Sequence, residues 1–382
     1  MFNDGPKMAI IESPKKKALI SEHYNYVFDK ETGFFARWGK TKEEDPDFSP
    51  FGPEILDLEI DSGECLGNCK FCYKCNGSGV PSKHMSLEDF KTLLEKMPKT
   101  LTQIALGITN IHSNPDFFDI MRHSKEKGVI PNYTTHGLDV DEEAVKITSE
   151  LCGAVAVSIV NKNKTYDAIK KYVDAGMDQV NIHYMLSEET YERAFEIVED
   201  MKTDERLAGM RAIVFLQYKP KGDTPDAFHS IRDPEQYKKL VNFCLEKQVN
   251  FGFDSCSAPL FLKSIEGLER EDDFVQSAEP CEGFGMFSSY INCDGEFFPC
   301  SFCEGEKGWE EGLDALNCES FLKDVWHSEK IKMWRDIILQ SSENCDCKFS
   351  DGCRSCPIFD ITSCKNWADK DEKELRYWDT AV

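Results

Sequence analysis

From Glu64 to Cys75 the chain reads ECLGNCKFCYKC, four thiols within a dozen residues. Thiols at this density can close disulfides, hold a structural zinc ion, or carry a redox-active iron–sulfur centre. The chain holds seventeen cysteines, an odd number. Its N-terminus, MFNDGPKMAIIESPKKK, lacks the apolar run and small-residue cleavage site of a secretory signal. The expectation is a cytoplasmic protein, where clustered thiols bind metal more often than they pair. Cys65, Cys69 and Cys72 form C-x3-C-x2-C. Three such thiolates on one loop can ligate three irons of a cubane and leave the fourth open to a small molecule. Structural zinc wants a closed set of four. Cys75 could complete it, so spacing alone leaves zinc open.

A loop of this kind must hang from something rigid. Apolar strand candidates recur at 54–60, 102–108, 129–135, 153–159, 179–186 and 210–218, and segments of helical period follow each at about 86–97, 114–127, 141–151, 164–175, 188–202 and 234–247. Ser86 with Asp89 three residues on predicts a helix start, and Asn114 before Pro115 predicts another N-cap. Six strand-then-helix units predict parallel strands with right-handed crossovers, an α/β partial (β/α)6 TIM-like barrel with catalytic groups at the C-terminal strand ends. The cysteine loop follows the first of those strands. Upstream, residues 23–40 read as an aromatic hairpin and 41–53 as a charged, proline-broken linker. VNFGFDSCSAPLF (249–261) offers one more strand.

Ten further cysteines lie between 281 and 364, in a stretch with little helical period outside about 319–340. Ligation should hold much of this irregular α+β region together. Asp294-Gly295 between two short apolar runs predicts a hairpin that carries Cys300 and Cys303 beyond its return strand. Cys345, Cys347, Cys353, Cys356 and Cys364 follow. The expected domains are 1–53 (hairpin and linker), 54–250 (barrel), 251–365 (cysteine-rich) and 366–382 (a C-terminal helix).

The first motif, Cys65-LGN-Cys69-Lys70-Phe71-Cys72 at the end of the first strand of such a barrel, resembles the radical S-adenosylmethionine (radical SAM) superfamily. The resemblance implies a 4Fe–4S cluster on Cys65, Cys69 and Cys72 that holds S-adenosylmethionine at its open iron and cleaves it reductively to a 5′-deoxyadenosyl radical. It places the cofactor against Phe71, Gly107, Thr109, Asn110, Thr135, His136, Ser158, Asn181, His183 and Gln217. Where the family has a Gly-Gly-Glu-Pro-like turn around the methionyl amine, this chain reads LGITN, with the glycine and without the carboxylate. The later cysteines, in the order C-x13-G-x4-C, gap, C-x-C-x5-C-x2-C, gap, C, resemble the SPASM extension, which carries one or two auxiliary 4Fe–4S clusters. That resemblance implies one ligand set of Cys281, Cys300 and Cys356 with Cys303 or Cys293, and another of Cys345, Cys347, Cys353 and Cys364. A single cluster with spare thiols, or a zinc-stabilised appendage, remains open. Cys152, Cys244 and Cys318 read as ordinary apolar-type residues.

The resemblance also implies action on a ribosomally made peptide or protein side chain, by crosslinking, oxidation or epimerisation. A one-electron donor such as flavodoxin or ferredoxin would serve it, and a leader would be read by the 23–40 hairpin or a separate leader-binding protein. Asp254 and Cys256, in FDSCSAP, are candidates for a general base and for a hydrogen donor or ligand. Other readings are a radical enzyme for a small molecule or nucleotide, and a non-catalytic iron–sulfur or zinc protein. The net charge of -24 repels a phosphate polymer and argues against nucleic acid. No apolar run reaches membrane-spanning length.

Overall fold

The computed structural model describes residues 7–342, 345–350 and 353–362. The chain begins with a four-stranded antiparallel sheet in sequential order: β1 (Met8–Glu12), β2 (Lys16–Ser21), β3 (Asn25–Asp29) and β4 (Phe35–Trp38). The expected hairpin is its second half, closed by a turn in which Gly33 takes φ 74. The sheet is fastened to the barrel by Lys17 Nζ on the Leu101 carbonyl (2.7 Å) and Tyr26 Oη on the Thr100 carbonyl (2.8 Å).

The barrel strands are β5 (Ile55–Glu59), β8 (Gln103–Gly107), β9 (Ile130–Thr135), β10 (Val155–Ser158), β11 (Val180–Leu186) and β12 (Ala212–Gln217), with β13 (Phe251–Phe253) as a seventh. A short pair, β6 (Asp61–Ser62) and β7 (Lys83–His84), follows β5. The crossover helices are α1 (Leu87–Lys96), α2 (Phe117–Glu126), α3 (Glu142–Leu151), α4 (Lys162–Asp174), α5 (Tyr191–Thr203) and α6 (Pro234–Glu246). All six predicted units are present. On β11, Val180, Ile182, Tyr184 and Leu186 are buried while Asn181, His183 and Met185 are half-open, the period-2 pattern of a strand between a helical layer and a barrel interior. On α4 the buried residues Thr165, Tyr166, Ala168, Ile169 and Tyr172 repeat at helical spacing and form the stripe that covers it. Ser86 caps α1 by accepting from Asp89 N. The cap of α2 is Asp116, not Asn114, whose side-chain amide instead donates to the Ile60 and Met85 carbonyls.

After α7 (Ala258–Ser264) and α8 (Glu271–Ser277), the hairpin of β14 (Ser288–Ile291) and β15 (Glu296–Phe298) forms as its Asp-Gly turn predicts. Its location was not foreseeable: β14 lies parallel to β5, Ser288 opposite Ile55, so the cysteine-rich region continues the barrel sheet. The full order is β13-β12-β11-β10-β9-β8-β5-β14-β15, ending in β16 (Leu313–Asp314). A π-helical turn, Phe321–Trp326, and α9 (Glu329–Gln340) follow. The expected C-terminal helix and Cys364 lie outside the described residues.

Candidate active site

The loop that leaves β5 at its C-terminal end is pinched at its base, where Gly63 at φ 102 passes so close to Pro81 that any Cβ would overlap its carbonyl. Within the loop, Cys72 N donates to Cys69 O (3.1 Å) and Cys75 N to Cys72 O (3.2 Å). Cys65 and Cys69 converge over Gly67, where an added Cβ would stand 3.3 and 3.5 Å from their sulfurs and 3.5 Å from the His136 ring. Burial, with Cys72 and Cys65 beside it, pushes the Cys69 thiol up to about 12, and burial also raises Cys65. Cys75 stands apart. At φ 56 it turns its thiol toward Asp223, and burial with that carboxylate raises it to about 11. Cys65 and Cys69 approach each other with Cys72 as a neighbour, but among the described residues no three thiols stand in the arrangement that would hold a metal ion, so ligation would have to draw them together.

Strand register decides which residues face the interior. Thr134 pairs with Gly107 and Ala156, Ala156 with Asn181, and Ser158 with His183, so Gly107, Thr134, Ser158, Asn181 and His183 share the inner face. Thr134 Oγ1 lies 3.5 Å from His183 Nδ1, and burial lowers His183 to about 4, so the ring is neutral at pH 7. Two expectations need correction. Thr135 is one residue out of phase and points to the helical side, where its hydroxyl accepts from Gly137 N (3.1 Å). Gln217 shares the outer face of Ile213 and Phe215; it is 2% exposed, bonded to Tyr237 and, through its amide, to the carbonyls of Ile231 and Ile361. Thr134 takes the place foreseen for Thr135.

Asn110 and His136 hold the cysteine loop. Asn110 Oδ1 accepts from Leu66 N (2.9 Å) and lies 3.0 Å from His136 Nε2, while its amide donates to Glu64 O and Ser113 Oγ. Phe71 packs edge-on against Phe228, 5.8 Å between ring centroids. Sequence reasoning missed Asp57, which alternates onto the same face of β5, is open to the barrel interior, and has no hydrogen-bond or ion-pair partner among the described residues; the surrounding barrel wall, with Glu282 nearby, lifts its carboxyl to about 6 although the residue itself is not covered. It also missed Lys74, paired with Glu59 (3.1 Å) and Glu304, and Tyr290, whose hydroxyl accepts from Lys74 (2.7 Å). Period 2 along β5 could have found Asp57; Tyr290 arrives only through the pairing of β14.

Among the later cysteines, the sulfurs of Cys300 and Cys303 are 3.3 Å apart, and the Cys303 S–H holds Cys300 below a thiol's ordinary value. Cys281 is buried with Cys356 and Cys300 as charge neighbours, and Cys303 senses all three. These four thiols are neighbours, with Cys256 near Cys356 and Cys281, although no three of them among the described residues stand in the arrangement that would hold a metal ion. Cys293 is elsewhere, 3.8 Å from the Lys83 carbonyl, lining an open cleft of about 370 Å³ with Cys75, Lys74 and Lys221. Cys347 and Cys353 pack on a small apolar cluster of Val241, Phe261, Leu262, Ile265 and Phe349. Cys345 N donates to Ser342 O (3.2 Å). Asp254 caps the turn 255–257, accepting from Ser257 Oγ (2.6 Å) and Lys219 Nζ (2.8 Å), so both of its oxygens are engaged.

The two thiol groups are joined through their neighbours. Tyr73, next to Cys72, stacks at 4.1 Å on Phe302, which lies between Cys300 and Cys303. Gly222, at φ 104, leaves no room for a Cβ against the Cys72 carbonyl, while Lys221 Nζ donates to the Phe302 carbonyl (3.0 Å).

No protein-family model and no curated protein matches the chain. Solved structures do. Streptococcus suis SuiB bound to precursor peptide SuiA matches with TM-score 0.68 at 13% identity, over 91% of this chain and 95% of that one. SuiB bound to S-adenosylmethionine matches with TM-score 0.62 at 15% identity, over 80% and 73%. Native anSMEcpe with bound AdoMet and Cp18Cys peptide matches with TM-score 0.56 at 15% identity, over 85% and 97%. The chain shares the fold of these structures, a partial α/β barrel followed by a cysteine-rich C-terminal part.

Proposed function

We propose that this chain is a radical SAM enzyme that modifies a side chain of a ribosomally made peptide or protein. The observation that carries the reading is the convergence of Cys65 and Cys69 over Gly67, with Cys72 beside them, at the C-terminal mouth of the barrel while Cys75 turns away. When bound there, a 4Fe–4S cluster with S-adenosylmethionine supplies a hydrogen-abstracting radical. The chain's own residues shape the chamber below it: Thr134, Ser158, Asn181 and neutral His183 offer hydrogen bonds, and Asp57 offers the chamber's unpaired carboxylate. The gathered Cys281, Cys300, Cys303 and Cys356 suit one auxiliary 4Fe–4S cluster. Cys345, Cys347, Cys353 and Cys364 are proposed for a second. Cys256 borders the first group as a further ligand or hydrogen donor. Asp254, spent on Lys219 and Ser257, serves to fix the turn that carries Cys256. A peptide substrate is supported by the fold shared with SuiB and anSMEcpe, both solved with peptides. The reaction needs a one-electron donor such as flavodoxin or ferredoxin, and a cytoplasmic setting fits its free thiols. No described helix is long and apolar enough to cross a membrane.

Anaerobic reconstitution with iron and sulfide tests the reading. The protein should acquire cluster absorbance and cleave S-adenosylmethionine to 5′-deoxyadenosine under reduction. Replacing Cys65, Cys69 and Cys72 together by alanine should abolish cleavage and leave the auxiliary iron bound. Cleavage that survives the triple substitution would refute the assignment, as would a protein that takes up only zinc.

A further inference from the structure

Asp57 stands on the inner face of β5, directly between Ala105 of β8 and Tyr290 of β14. Its neighbours Leu56 and Leu58, each 1% exposed, point the other way into the core. The Ala105 methyl leaves one side of the carboxylate open, and Tyr290 walls the other. Tyr73, stacked on Phe302, is near enough that the charge of Asp57 helps to raise its hydroxyl. Asp57 therefore lies beneath the aromatic pair that joins the two thiol-rich regions. It also sits two residues below Glu59, about 7 Å deeper than the strand end from which the cysteine loop departs.

The basic groups around this carboxylate are already committed. Lys74 pairs with Glu59 (3.1 Å) and Glu304, Lys219 with Asp254 (2.8 Å), and Arg37 with Glu54 (2.6 Å) and Glu282 (3.2 Å). Burial holds His183, on the same inner face, neutral. The Tyr290 hydroxyl cannot serve Asp57 either, because it donates to Glu304 Oε2 (3.3 Å) and accepts from Lys74. Three cations thus meet five carboxylates, and Asp57 is a sixth left without a partner among the described residues. A charge kept away from water is costly unless it is paired. The side chains of the chamber supply no partner, so a cation that enters it gains a charge-assisted hydrogen bond, which is stronger than a neutral one.

We propose that Asp57 selects the substrate by binding a long cationic side chain, lysine or arginine, that reaches into the barrel from a peptide. The inference rests on the reading above, that the chamber takes a peptide. An ammonium or guanidinium suits this depth, because its methylene stem can lie along Ala105 and the aromatic wall while the charged end meets the carboxylate. A side chain of similar length without charge would leave Asp57 unpaired, and an acidic one would meet repulsion.

Calorimetric binding to the anaerobically reconstituted full chain tests it, with blocked pentapeptides acetyl-Gly-Gly-X-Gly-Gly-amide in which X is lysine, arginine, norleucine or glutamate. The wild-type protein should bind the lysine or the arginine peptide about ten- to a hundredfold more tightly than the norleucine peptide, the worth of a charged hydrogen bond. A preference for either one supports the inference and says which side chain is read. Asp57→Asn should bind the lysine, arginine and norleucine peptides alike, whereas Asp57→Glu should keep the preference. Asp57 has no partner to lose, so Asp57→Asn should unfold at the wild-type urea concentration or above it; should it fail to fold, Asp57→Ser takes its place. A wild-type protein that binds none of the peptides, or binds them without preference, would overturn the inference, as would an undiminished preference in Asp57→Asn. If such a protein still cleaves S-adenosylmethionine, the functional reading stands and only the selectivity is lost. A wild-type protein with its full iron complement that does not cleave the cofactor would overturn the functional reading itself.

Discussion

At the scale of single residues, the barrel interior has separated groups of similar type into different roles. Asn110 and His136 read alike in sequence as cofactor ligands, yet their polar atoms are engaged with the cysteine loop and its neighbours. His183 points inward and burial depresses its pKa from 6.5 to about 4. The sign follows from linkage: the unfolded chain binds a proton at this residue below about pH 6.5 while the folded one refuses it until about pH 4. Its contribution to stability is therefore present above pH 6.5 and is lost as pH falls from there toward 4. Cluster-free protein should show this as a fall in melting temperature over that window that is smaller in His183→Gln. Equal falls in both proteins would show that His183 protonates freely in the fold.

At the scale of elements, every βα unit was legible, because each strand is apolar enough to be buried on its outer face and each helix carries one apolar stripe. Parity at the strand ends was harder to read. In Thr134-Thr135 two identical side chains compete for one inward position, and only the pairing of Thr134 with Gly107 and Ala156 decides between them. Gln217 misled for a similar reason: it is a polar residue on the buried face, satisfied by Tyr237 and two carbonyls. The first cysteine triad rests on spacing, and of its members Cys65 and Cys69 meet over Gly67. That Cys303 lies beside Cys300 while Cys293 lies by the Lys83 carbonyl depended on where β14 docks. The segment after β12 ties these elements together, and Gly222 is its tightest point. Gly222→Ala should cost about 1–3 kcal/mol in urea unfolding, from its positive φ and the overlap with Cys72, and should lower the iron retained by the first site. An alanine variant with wild-type stability and iron content would show that the loop yields freely.

At the scale of the whole molecule, three regions meet at Arg37. From β4 its guanidinium pairs with Glu54 at the foot of β5 (2.6 Å) and with Glu282 beside Cys281 (3.2 Å), and it lies 3.5 Å over the Phe287 ring. Removing one partner of a buried pair leaves the other uncompensated, so Arg37→Met should destabilise the protein by about 3–5 kcal/mol in urea unfolding and expose the N-terminal sheet to proteolysis. A change below about 1 kcal/mol would mean that water replaces the guanidinium. The pairing of β14 with β5 bears on how the chain is made. During synthesis β5 emerges early, and the strand that covers its free edge, with Ser288 opposite Ile55, emerges only after the rest of the barrel. Chains fold from the N-terminus as they leave the ribosome, and unpaired strand edges invite aggregation. The nascent barrel thus keeps the edge of its first strand uncovered until β14 is made and docks on it.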